Sequence, residues 1–243
     1  MNIFLTNKNY RRFSIASFLS SAGDILFYLA FMTYASKLKN YSLALSLIAI
    51  SESSPKLFTI FGGYFADKTR HKFKNIFLSA IIRCVLYGIV GLLFISNVNQ
   101  WSLIIVVIIN LISDTFGAYS SGLVSPLVVD LVGKDHFGEA EGFTNGVNEV
   151  INIAAQFIGS ALLLIMSYSS LAFLNAISFL LAGILFASVG LRQKSIESLK
   201  SHEINTQSFL VTMKTSFKQV KKQAGLLEVV LIVAVLNGLL SSM

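Results

Sequence analysis

Hydrophobic positions along this chain come in long unbroken blocks separated by short polar seams. Six blocks, at about 13–36, 42–66, 75–96, 101–124, 143–167 and 170–191, each hold roughly 20 or more mainly apolar residues. That length lets an α-helix cross a hydrocarbon core of about 30 Å. A seventh block begins near Leu226 and reaches Met243. The pattern predicts an all-α membrane protein: a six-transmembrane-helix bundle followed by the start of a seventh helix. The seams NVNQ and SYSS are so short that the helices they join must run antiparallel.

Composition agrees. The 243 residues are 54% hydrophobic and 13% charged, about half the charge of a typical soluble domain. The first block follows Lys8, Arg11 and Arg12, as in a signal peptide, but exceeds an h-region of roughly 7–15 residues and has no small-x-small exit. It is expected to stay as the first span. The single cysteine, Cys84, lies in an apolar run and has no partner in the chain for a disulfide.

The net charge of +7 could suggest nucleic acid, but the placement of the charges gives another answer. Lys8, Arg11 and Arg12 precede the first span. Lys68, Arg70, Lys72 and Lys74 follow the second, and Lys134 follows the fourth. Arg192, Lys194, Lys200, Lys214, Lys218, Lys221 and Lys222 follow the sixth. The opposite side holds only Lys37 and Lys39. The asymmetry predicts a cytoplasmic N-terminus and even-numbered loops in the cytoplasm, and no nucleic-acid partner. The expected organisation is a six-helix transmembrane half at 1–191, a basic cytoplasmic linker at 192–225 and a helix cut short at 226–243. Within the linker, Phe209, Leu210, Met213, Phe217 and Val220 recur at helical spacing among lysines, which predicts an amphipathic helix on anionic membrane lipid.

Charge inside the blocks is costly, roughly 2.5–3.5 kcal/mol for a residue at mid-bilayer. Five spans nevertheless carry some: Asp24, Glu52 with Lys56, Arg83, Asp114 and Glu149. Glu52 and Lys56 are four apart and share a helix face, with Pro55 between them. Arg83 has three carboxylates to choose from, Asp24, Glu52 and Asp114. Four acids against two bases favour a bound proton or cation, which suits proton coupling or a cationic substrate. Glu52 and Glu149 each stand ten residues before a glycine, Gly62 and Gly159, a faint echo of a three-plus-three repeat. There is no GxxxxGK[ST] loop, CxxC, HExxH or nucleophile elbow, and His71, His136 and His202 all fall in loops. No enzyme activity, metal site or cofactor is expected.

The stretch GGYFADKTRHKFK lies between the second and third spans. It resembles the loop motif of the major facilitator superfamily at that place: Gly63, Asp67, Lys68 and Lys72 match, while Arg70 stands where glycine is usual and His71 where arginine is usual. RRFSIASFLSSAGDILFYLAF, SPLVVDLVGKDHFGEAEGF and FLNAISFLLAGILF are similar to the first helix, the loop after helix 4 and helix 6 of the macrolide-efflux-like branch. Gly159 is followed by Ser160 where antiporters of that family often carry Gly-Pro. The resemblance covers essentially the whole chain. It implies one half of a twelve-helix fold, in a multi-pass protein of a bacterial-type plasma membrane. It further implies proton-coupled efflux of amphipathic, macrolide-like drugs by alternating access. Asp24, Glu52, Asp114 and Glu149 would face the cavity. Gly63, Asp67, Lys68 and Lys72 would form a latch against a second half, supplied by a missing C-terminal segment or a dimer partner. Two alternatives stand beside this: a non-transporting remnant or assembly partner, and a metabolite importer of the same superfamily.

Overall fold

The computed structural model describes the backbone of residues 2–95, 99–197 and 209–222 and the single positions 225, 228, 232 and 235. It describes their side chains except at 2, 56–63, 67, 194–197, 210, 216, 217, 220 and 222. Within these limits the chain is all-helical: α1 Asn2–Thr6, α2 Lys8–Ser36, α3 Tyr41–Asp67, α4 Lys72–Leu93, α5 Gln100–Val132, α6 Phe137–Ile165, α7 Tyr168–Glu197 and α8 Phe209–Lys222. Five of these, α2, α4, α5, α6 and α7, are long and apolar enough to cross a membrane, which makes this a multi-pass membrane protein. The second expected span falls on α3, a 27-residue helix that continues through Pro55. It is not counted among the five, and the side chains of 56–63 lie outside those described.

The helix ends are set by side chains and by glycine. Asn7 caps α2, its carboxamide oxygen accepting from the N–H groups of Asn9 and Tyr10, while its amide donates to the Leu131 carbonyl at 2.8 Å. Asn99 caps α5 through the Ser102 N–H at 2.7 Å. α5 ends at Gly133, whose φ of 81° is open to glycine and closed to most other residues.

Two apolar clusters show how the helices alternate. One gathers Tyr10 and Phe13 of α2, Ala66 of α3, Phe73 of α4, Leu127 of α5 and Phe186 of α7. The other gathers Phe27 of α2, Ile48 of α3, Tyr87 of α4, Leu103 of α5 and Phe179 of α7. α2 and α4 run from the first cluster to the second; α3, α5 and α7 run back. The connections 68–71 and 133–136, with their Lys and Arg residues, therefore lie at the same end of the bundle as Lys8, Arg11 and Arg12. α7 packs on α2 and α4, α5 on α3, and α6 on α2. Close approach is allowed where side chains vanish. A Cβ on Gly23 would overlap Ser178, and one on Gly190 would press on the Phe73 ring.

These helices form one compact unit, residues 1–204. The second unit, 205–243, contributes α8, the helix expected at the linker. On α8, Val211, Met213, Lys214, Lys218 and Lys221 are exposed and Phe209 is half-buried. Most of the expected seventh span lies outside the described residues.

Candidate functional site

Between the two apolar clusters lies a layer of mainly polar side chains, drawn from the middles of five helices. α4 supplies the centre, Arg83, with Tyr87 one turn on. α5 supplies Asn110, Ser113, Asp114 and Gly117, which recur every three or four residues and so share a face. α2 supplies Asp24, and α3 supplies Glu52. α7 completes the ring with Asn175 and Phe179.

The Arg83 side chain is 10% exposed, and its guanidinium is held from several directions. Nη2 donates to Asp24 Oδ2 at 2.8 Å. Nε donates to Ser113 Oγ at 3.1 Å. The same Nη2 lies 3.9 Å from Asp114 Oδ1. The plane sits 3.8 Å from the centre of the Phe179 ring, a cation–π contact. On α5 the room for it comes from Gly117, where a Cβ would lie 3.4 Å from the guanidinium carbon. Of the three carboxylates open to Arg83 in the sequence, the structure selects Asp24 and places Asp114 as the near alternative.

Asn110 carries the remaining acids. Its amide donates to Glu52 Oε1 at 2.9 Å and to Asp114 Oδ2 at 2.8 Å. Its own oxygen accepts from the Tyr87 hydroxyl at 2.7 Å. Both amide hydrogens are thus used, and the tyrosine fixes which way the amide points. Asp24 is braced on its other oxygen by Asn175 at 3.4 Å, and the Ser178 hydroxyl donates to Asn175. Three carboxylates and one guanidinium therefore form one continuous network. The three carboxylates border a cavity of about 500 Å³ lined by Asp24, Tyr28, Glu52, Asn110, Asp114 and Gln156. Asp24 is 33% exposed and Asp114 21%, so both meet this space.

The other expected residues are placed as follows. Glu149 is exposed on α6 and lines neither this cavity nor the one described below. The side chains of Lys56, Gly63 and Asp67 lie outside those described, and with them the Glu52–Lys56 pair. Lys68 lies with its ammonium 4.4 Å from the Tyr64 ring centre. Lys72 is the first residue of α4 and half-buried. The intervening loop is tied to the bundle by Thr69, whose hydroxyl is 2.7 Å from that of Tyr119. Sequence reasoning singled out the charges and passed over Asn110, Ser113, Tyr87, Gly117 and Phe179. The spacing of Asn110, Asp114 and Gly117 was the available signal. Comparison with protein-family models, with curated proteins and with solved structures finds no match.

Proposed function

We propose that this six-helix unit belongs to a secondary active transporter of the major-facilitator type. In this reading it works against a second helical half and exports amphipathic drugs in exchange for protons. The observation that carries the reading is the Asp24–Arg83–Asp114 arrangement. One guanidinium stands 2.8 Å from one carboxylate and 3.9 Å from another, at the edge of a cavity bordered by both acids. A proton arriving on Asp24 removes the charge that holds Arg83 there and leaves Asp114, among the described residues, as its charged neighbour within 4 Å. Charged groups this deep in a bundle, facing a cavity and each other, are the usual mark of an ion or substrate pathway. Glu52, joined to Asp114 through Asn110, adds negative charge that a proton or a cationic substrate would balance.

The test is export from drug-hypersensitive cells that carry the chain together with its second helical half, across a panel of amphipathic amines and macrolides. At least one compound should be exported in a pH-dependent way, and D24N and D114N should each abolish the pH dependence. Export that keeps its pH dependence in both variants would sink the coupling role. A panel on which parent and R83Q cells behave alike would sink the transport reading.

A further inference from the structure

A second cavity, of about 260 Å³, lies on the other side of Arg83, toward the end of the bundle that carries the basic connections. Its walls differ in kind from those of the carboxylate cavity. α2 contributes Ser17, Ser20 and Ser21; α5 contributes Ser120, Ser121 and Ser125. α6 adds Thr144, Asn145 and Asn148, with Glu141 close to the helix start. Arg83 itself, beside Gly117 and Phe179, closes the inner end. Along α5, Gly117 to Ser125 is eight residues, about 12 Å of helix.

Two observations say what this space holds. The hydroxyl of Ser120 and the carboxamide oxygen of Asn148 are buried and find no hydrogen-bond partner among the described residues, yet both side chains line the cavity. Buried polar atoms are rarely left unpaired, because an unmade bond costs about 1–3 kcal/mol. The volume accommodates on the order of eight waters at liquid density. Six serine hydroxyls can bond such waters: Ser17, which donates to the Phe13 carbonyl at 3.2 Å, as an acceptor, and a hydroxyl with its hydrogen free in either direction.

We infer that this serine-lined cavity is a water-filled passage by which protons reach Asp24 from the basic end of the bundle, with Arg83 as its inner lid. The inference rests on the proton-coupling reading above. Ser20 and Ser21 stand one helical turn before Asp24 on α2, so the passage ends where the carboxylate begins. The proton travels through water and hydroxyls and lands on a lone pair of Asp24 Oδ2. The Arg83 bond to that oxygen is released, and the guanidinium keeps all its protons. The groups facing Asp24 are Arg83 and Tyr87 of α4, Asp114 of α5 and Glu52 of α3. α7 brings Asn175 and Ser178, and α6 brings Glu141 at the far end of the passage.

The test uses the whole chain in vesicles, with C84A to remove its only thiol and S121C to place one in the passage. The probe is the impermeant 2-(trimethylammonium)ethyl methanethiosulfonate, with I112C on the exposed face of α5 as reference. The S121C thiol should react roughly a hundredfold faster than the I112C thiol, since the thiolate that forms in water is the reactive species. Attaching a neutral benzyl methanethiosulfonate to S121C then plugs the passage after folding is complete. The infrared carboxyl band that D24N removes should rise after a pH step roughly tenfold more slowly, about 1.4 kcal/mol of added barrier. Equal reaction at the two positions would show the cavity dry and overturn the inference. An unchanged rise after plugging would overturn it too, since the proton would enter elsewhere. If no band depends on Asp24 at all, the coupling reading falls and takes the delivery role with it, even where the S121C thiol reacts fast.

Discussion

Replacing Arg83 by glutamine keeps a polar, similarly shaped side chain and removes the charge. The arginine lies 2.8 Å from Asp24 and 3.9 Å from Asp114. At an effective dielectric constant near 20, those distances correspond to attractions of about 6 and about 4 kcal/mol. Desolvation of a side chain only 10% exposed offsets much of this. The Phe179 ring at 3.8 Å adds about 2 kcal/mol of cation–π contact in a desolvated site. Breaking a buried pair from one side costs about 3–5 kcal/mol, because the acids left behind lose their counter-charge. For a bundle of this size, 3 kcal/mol corresponds to roughly 6–12 °C in melting temperature. The assay is built into the chain. Cys84 is its only cysteine and follows Arg83 on α4, half-buried. A thiol-reactive dye in detergent therefore reports unfolding at the site itself. R83Q should melt lower by that amount, and the double variant D24N/R83Q should melt no lower than R83Q alone. A shift under about 2 °C for R83Q, less than 1 kcal/mol, would refute the pairing. So would D24N and R83Q losses that simply add.

Asn110→Ala should cost about 2 kcal/mol by leaving Glu52, Asp114 and the Tyr87 hydroxyl without their shared partner, read by the same melt. N110D, which adds a carboxylate beside two others, should cost more. Gly23→Ala should destabilise by about 1–3 kcal/mol, since the new methyl collides with Ser178 and Asn175. Gly142→Ala is the control: nothing lies within 4 Å of that methyl, and the gain in helix propensity should stabilise by up to about 1 kcal/mol. Asn7→Ala removes a helix cap and a tie to Leu131, and should lower stability by about 1–2 kcal/mol, with hydrogen exchange accelerated first at Asn9 and Tyr10.

Apolar block length located the helices well and their ends poorly. The block expected at 101–124 is α5, Gln100–Val132, which continues through Ser125, Pro126 and Asp130. The block expected at 143–167 is α6, Phe137–Ile165, whose first turns hold Gly138, Glu139, Glu141 and Gly142. Hydropathy marks the part of a helix that lipid surrounds, and both helices extend beyond that band, burying Leu127, Leu131 and Ala140 while Ser125, Gly138, Glu139 and Gly142 stay exposed. The acids and the arginine of the site were visible because charge in an apolar block is conspicuous. Their pairing was not, because helices apolar on every side carry little sign of which face turns inward. Small residues hold that sign: Gly117 faces Arg83 and Gly23 faces Asn175 and Ser178. Asn110 escaped notice because it is uncharged, although it joins two acids.

The layer between the aromatic clusters also bears on how the chain enters a membrane. Each charge in it is matched by a group on a different helix: Asp24 on α2 by Arg83 on α4, Arg83 again by Ser113 and Asp114 on α5, Asp24 again by Asn175 on α7. During synthesis α2 emerges with its acid alone, and Arg83 arrives two helices later. Each carries an insertion penalty of roughly 2.5–3.5 kcal/mol until its partner is present. Assembly of the later spans therefore relieves a penalty that the early ones carry: α4 brings Arg83 to Asp24, and α7 then brings Asn175.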